Sequence, residues 1–128
     1  MAEISNYLEN ALINGTLRAT SYTAPTTTFL ALYTNDPTDA DTGTEVTGGS
    51  YVRQAITFSA PSGGATSNSS AIEFPQCTAD WGTVTHIGIR DAVTTGNLLY
   101  HSALDTSKVI ANGDIFKITA TNLSVTLA

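Results

Sequence analysis

Phe29-Leu30-Ala31-Leu32-Tyr33 is an unbroken apolar run of strand length. A run without alternation belongs to a strand covered on both faces. Upstream of it, Ile4, Leu8, Ala11 and Leu12 recur at helical spacing, with Tyr7 and Ile13 flanking. Ser5 is placed to cap the start of this helix and Gly15 to stop it. Glu3 and Glu9 lie toward the end where the helix dipole favours negative charge. Residues 1–18 therefore read as an N-terminal helical segment able to cover one face of the strand. A Thr-rich connection from Thr20 to Thr28, interrupted by Pro25, joins the two.

Downstream, Asn35 to Ser50 forms a long acidic, Gly-rich loop without a hydrophobic period. It carries Asp36, Asp39, Asp41 and Glu45, with Gly43, Gly48 and Gly49. Strand signals then follow at short intervals. Val52, Ile56 and Phe58 share one face of Tyr51–Phe58, and Pro75 stops Ile72–Phe74. Val84–Arg90, Leu98–Ala103, Lys108–Ile110, Ile115–Thr119 and Leu123–Leu127 complete the series. Trp81-Gly82 reads as a turn, with Trp81 in the core, and Asn112-Gly113 as a hairpin. About eight short strands at this spacing indicate a sandwich or barrel. A parallel sheet would need helical crossovers, which the sequence does not provide. The expected fold is all-β: an antiparallel, jelly-roll-like β-sandwich with one short N-terminal α-helix, forming a single domain over residues 1–128.

Composition narrows the function. Charged residues make up 12% of the 128, about half the usual share. The net charge is −6, and Arg18, Arg53, Arg90, Lys108 and Lys117 are the cations, none adjacent to another. A nucleic-acid partner needs a cationic stripe to displace counterions from phosphate, so none is expected. Cys77 is the single cysteine, so no intramolecular disulfide forms. No apolar run reaches the ~20 residues of a membrane helix, and no apolar leader follows Met1-Ala2-Glu3. A soluble chain without a signal peptide or a membrane partner is expected.

The search for chemistry is largely negative. Ser102, His101 and Asp105 suggest a hydrolytic triad on paper, but neighbours in a strand point to opposite faces. His86 is likewise beside a hydroxyl, that of Thr85. A Gly-x-Ser-x-Gly elbow is lacking. Gly48-Gly49 and Gly63-Gly64 lack the Gly-Lys-Ser/Thr of a phosphate loop. Asp39-Ala40-Asp41-Thr42-Gly43 starts like a calcium loop. An EF-hand would need Asp or Asn where Gly43 stands and Gly where Thr44 stands. Asp36, Asp39, Asp41 and Glu45 thus form either a solvated recognition loop or an irregular oxygen-ligand site, and no metal, cofactor or enzymatic activity is assigned. A short helix is marginal alone, so Ile4, Tyr7, Leu8 and Leu12 pack on the chain's own sandwich or on another subunit.

The order of segments is itself distinctive. Tyr7-Leu8-Glu9-Asn10 precedes Thr27-Thr28-Phe29-Leu30-Ala31-Leu32-Tyr33-Thr34-Asn35-Asp36-Pro37 and Gly48-Gly49-Ser50-Tyr51-Val52-Arg53-Gln54. Ile72-Glu73-Phe74-Pro75, Ala79-Asp80-Trp81-Gly82-Thr83-Val84-Thr85-His86-Ile87-Gly88-Ile89, Asn97-Leu98-Leu99-Tyr100 and Gly113-Asp114 follow. Across nearly the whole chain this resembles a family of small proteins encoded by tailed phages, cyanophages included, commonly labelled tail-fibre proteins. The resemblance implies a virion structural protein without catalytic residues, made in the host cytoplasm. Some such β-sandwiches are capsid cement or decoration proteins, usually trimers on the outside of the head. One implied reading is therefore a homotrimer that binds the major capsid protein on the outer capsid surface. The alternative is a tail-fibre or adhesin component that binds the host cell surface, with Asn35–Ser50 as its recognition loop. The sequence carries no coiled-coil or collagen-like shaft, which favours cement.

Overall fold

The computed structural model describes residues 3–127. The elements are β1 (Glu3–Ile4), α1 (Asn6–Leu17), β2 (Thr28–Tyr33), β3 (Gln54–Ile56), β4 (Ala65–Ser67), β5 (Ile72–Glu73), β6 (Gly82–Arg90), β7 (Leu98–Ile110), β8 (Lys117–Ile118) and β9 (Ser124–Thr126). Five strands form one sheet in the order β1-β7-β6-β2-β3, and every pairing in it is antiparallel. Two ribbons, β4-β9 and β5-β8, form the opposing layer. The fold is an all-β antiparallel sandwich with unequal layers and one short helix.

The register sorts the sheet into two faces, because side chains alternate along a strand. Leu30 pairs with Ile89 and Leu32 with Ile87. These four residues belong to the core cluster with Ile72, Phe74, Phe116, Leu123 and Val125 of the opposing layer and its flanks. Trp81 joins this core, as expected. Its ring meets Tyr51 edge-on at 5.4 Å, and its Nε1 donates to the Gly49 carbonyl at 2.9 Å.

Ala31 and Tyr33 point the other way and are buried too. Ala31 pairs with Gly88, which pairs with His101. α1 and the acidic loop cover this second face, so the apolar run of β2 is enclosed on both sides. Ser5 caps α1 by accepting from the Leu8 N–H, and its own hydroxyl donates to the Leu98 carbonyl. Its backbone N–H donates to Leu99. The helix is thereby fastened to β7 at its N-cap.

Several local expectations are corrected. Gly15 lies inside α1, which runs to Leu17. The chain turns instead at Ala19, in left-handed conformation, and the Thr20 N–H returns to the Asn14 carbonyl. Within Tyr51–Phe58 only Gln54–Ile56 pairs as a strand, and Val52 is exposed. Gly82 begins β6, so Trp81-Gly82 leads into a strand. The segments Leu98–Ala103 and Lys108–Ile110 are one strand, β7. Its register against β6 jumps from His86–Ala103 to Val84–Lys108, so Leu104, Asp105, Thr106 and Ser107 face Thr85 alone. Asn112-Gly113 reverses the chain, but the strands on either side pair elsewhere, β7 with β6 and β8 with β5. Turn chemistry is local, whereas strand partners are chosen by the core. No helix among the described residues is long and apolar enough to cross a membrane.

Candidate functional site

The acidic loop lies over the second face of the five-stranded sheet, and three of its carboxylates meet three basic residues of that face. Arg53 precedes β3 and, by alternation, shares a face with Ala55 and Phe29. Its Nε and Nη2 donate to the two oxygens of Glu45, both at 2.8 Å. Its Nη1 donates to the carbonyls of Ala92 and Thr95. Arg90 ends β6. Its Nη1 and Nη2 donate to the two oxygens of Asp41 at 2.7 and 2.9 Å. It also donates to the Tyr33 hydroxyl and the Gly96 carbonyl. His101 of β7 is bonded through Nε2 to Asp39 at 2.7 Å. Asp36 stands closer to the solvent, 3.8 Å from His101 Nδ1, with Glu3 of β1 at 3.6 Å.

Fork-to-fork arginine–carboxylate pairs are the strong, geometrically specific kind. Both guanidiniums are almost wholly buried. Removing a charge from water costs several kcal/mol, so such groups persist only when fully bonded. Here each arginine gives remaining donors to carbonyls of the segment 91–97, and Arg90 gives one also to the Tyr33 hydroxyl. The two arginines therefore tie two loops, 35–50 and 91–97, to each other and to the sheet. Val46 and Pro37 are buried in the same loop, and Tyr33 and Glu45 form a β-bridge. Asp41 itself sits in left-handed backbone at φ 58°. Backbone in that region is sparsely populated and held by its surroundings, here the Arg90 fork.

The electrostatics follow from these bonds. Burial acts to raise the Glu45 carboxyl, but hydrogen bonds from Arg53 and Tyr51 outweigh it and hold the pKa below its ordinary value. Burial, reinforced by the hydrogen bond to Glu45, pushes the Tyr51 phenol far up, so it stays a donor. Burial opposes the Arg90 charge, but the bonds to Asp41 and Tyr33 more than offset it and raise the pKa.

The loop residues singled out in the sequence are thus not one ligand cage. Asp41 and Glu45 are engaged by arginines, and only Asp36 and Asp39 approach His101. Among the helix residues, Leu8 is buried on the chain's own sheet, Leu12 is half-buried, and Ile4 sits in β1 opposite Tyr100. Tyr7 remains exposed, as does Ile13, the other residue flanking the helical pattern, and Leu17 is exposed with them. His101 and Ser102 point to opposite faces, and His86 takes a local bond to the Thr85 hydroxyl. A cleft of about 580 Å³ opens beside β7, lined by Tyr100, Leu104, Phe116, Ile118 and Leu123. It is the mouth of the sandwich.

Sequence reasoning missed the roles of Arg53, Arg90 and His101. A signal was available. In a chain this poor in charge, an arginine set beside an apolar strand has to find a carboxylate, and the nearest acidic cluster was the loop.

A family model described as Podophage GP4 fiber I protein gp80 matches residues 3–126. No curated protein matches the chain. Matched over nearly its whole length, this phage structural protein belongs to the family of the podophage GP4 fiber I protein gp80.

Proposed function

We propose that the chain is a rigid, non-enzymatic module of a tail-associated fibre. The observation that supports this best is the use of Asp39, Asp41 and Glu45. Each is committed to a buried base of the chain's own sheet, rather than arrayed around a pocket. A catalytic site would present reactive groups to a cavity; this loop spends them on holding its shape. The result is a stiff double-loop surface, 35–50 with 91–97, of the kind through which scaffolds recognise partners. The fibre named in the family's description supports the same position in the particle.

Capsid cement is the second reading. The exposed side chains of Tyr7, Ile13 and Leu17 on α1 favour it, as an apolar contact for a shell protein or for trimer neighbours. On that reading the partner is the major capsid protein, and binding only to the assembled shell would stabilise it by mass action.

Gold-conjugated antibody raised against the chain, applied to intact particles of its phage, separates the two. Label on tail appendages is the expected result. Label spread over the head would overturn the fibre reading in favour of cement.

A further inference from the structure

The cleft of about 580 Å³ beside β7 lies where the sandwich is open at one side. Its floor is the core itself. Phe116 and Leu123 are buried, while Tyr100, Leu104 and Ile118 pack against that core and stay half-buried. One lip is β7. Among the described residues β1 pairs with β7 only at Tyr100 and His101, so the outer edge of β7 from Leu104 to Val109 has no partner strand. On its inner edge, Leu104 to Ser107 share Thr85 as their counterpart. The other lip is β8, which pairs with β5 alone. Unpaired N–H and C=O groups along a strand edge are a template for another strand.

Charge selects the kind of strand. Arg53 and Arg90 are committed to Glu45 and Asp41, and Arg18 is bonded to Asn14. The ammonium groups of Lys108 and Lys117 form no hydrogen bond or ion pair among the described residues, although Glu73 stands opposite Lys117 on β5. Both lysines line the cleft, with Asp105 as its one acid. In a chain of net charge −6, the free cations thus gather at this mouth. We propose that the cleft takes an extended, acidic segment of another protein, added as a strand along β7. Side chains alternate along such a strand. Apolar residues at every second position would continue the floor formed by Tyr100, Leu104 and Ile118, and carboxylates between them would meet Lys108 and Lys117. In this mode main-chain bonds supply affinity and alternate side chains supply specificity. Lysines on an edge discourage indiscriminate pairing; here they admit a strand that brings carboxylates. This docking role goes beyond the fibre reading and holds for a module of tail or head alike.

The test uses the full chain and two fluorescein-labelled twelve-residue peptides, one alternating valine with glutamate and one alternating valine with lysine. Fluorescence anisotropy should show saturable one-to-one binding of the glutamate peptide, at least tenfold tighter than the lysine peptide and weaker at high salt. Hydrogen exchange of the Leu104–Val109 amides should slow when the glutamate peptide is bound. The Lys108→Glu/Lys117→Glu double variant, which alters only exposed side chains, should bind that peptide at least tenfold more weakly. Arg18→Glu, an exposed cation on α1, should bind it like the parent. Absence of saturable binding by the parent chain, equal affinity for the two peptides, equal loss in Arg18→Glu, or unchanged exchange at Leu104–Val109 would overturn the site.

Discussion

Arg90 and Asp41, separated by 49 positions in the chain, are joined by two parallel hydrogen bonds of 2.7 and 2.9 Å beneath the acidic loop. The pair is asymmetric. The guanidinium is 8% exposed and the carboxylate 36%. Losing the carboxylate therefore strands a buried charge, whereas losing the arginine frees an acid that water can reach.

Asp41→Asn should accordingly destabilise the protein by about 2–4 kcal/mol, below the upper end for a fully buried pair because Asp41 is partly solvated. Replacing both partners, Arg90→Met with Asp41→Asn, should recover part of that loss, since no charge is then stranded. Urea unfolding of Asp41→Asn, Arg90→Met and the double variant measures this. A double variant less stable than the sum of the single losses would show that the fork is not the source of the effect.

The Glu45 pair makes stability depend on acid. Its folded pKa is depressed below the ordinary 4.5. The unfolded chain therefore takes up the proton first as pH falls. Its contribution is fully present above that ordinary value and is lost as pH drops through the lower folded value. Melting temperature should hold from pH 7 to about 5 and then decline. Glu45→Gln should melt lower at pH 7 and show a shallower acid decline. An acid limb of equal steepness in Glu45→Gln would assign the effect to other carboxylates.

Gly88 leaves room on the sheet for the side chains of Tyr33 and Leu98 from the neighbouring strands β2 and β7. A Cβ there would stand 2.8 Å from both the Tyr33 ring and Leu98 Cδ1. Two packed side chains would have to move, and the Tyr33 hydroxyl that receives Arg90 would move with them. Gly88→Ala should cost about 1–3 kcal/mol by overpacking, and more together with Tyr33→Phe than Tyr33→Phe costs alone. Denaturant midpoints check this, and a neutral Gly88→Ala would mean that Tyr33 and Leu98 have room to shift.

The legible parts of the fold were those set by local pattern. The Phe29–Tyr33 run announced a doubly covered strand, and Ser5 announced the helix start, because both depend on neighbouring residues. The end of α1 was misplaced at Gly15 because the turn was supplied by Ala19 in left-handed backbone, a conformation glycine favours but does not monopolise. The carboxylates of the loop stood out by composition. Their partners did not, since Arg53, Arg90 and His101 are brought under the loop by strand register across long sequence separations, which no local window contains. Asp36 and Asp39 could be named, but that the loop folds them onto His101, beside which β1 sets Glu3, follows only from the tertiary fold.

Trp81 gives the core a built-in reporter, because it is the single tryptophan. It is 5% exposed and wedged between Tyr51 and Phe74, with Nε1 bonded to the Gly49 carbonyl. Gly49 is in left-handed backbone, and a Cβ there would stand 2.7 Å from the Ala79 carbonyl and 2.8 Å from Nε1. The indole therefore holds the end of the acidic loop against the sandwich. Trp81→Phe keeps an aromatic ring but removes the hydrogen bond and part of the volume, and should cost about 1–3 kcal/mol. Gly49→Ala should cost a similar amount, because it strains the backbone and displaces the indole. In the parent chain, the emission should be blue-shifted when folded and move to the red in a single transition that coincides with loss of far-UV signal. If Trp81 fluorescence changed at lower denaturant than the far-UV signal, the loop end would be opening on its own, and the indole would not be tying it to the core.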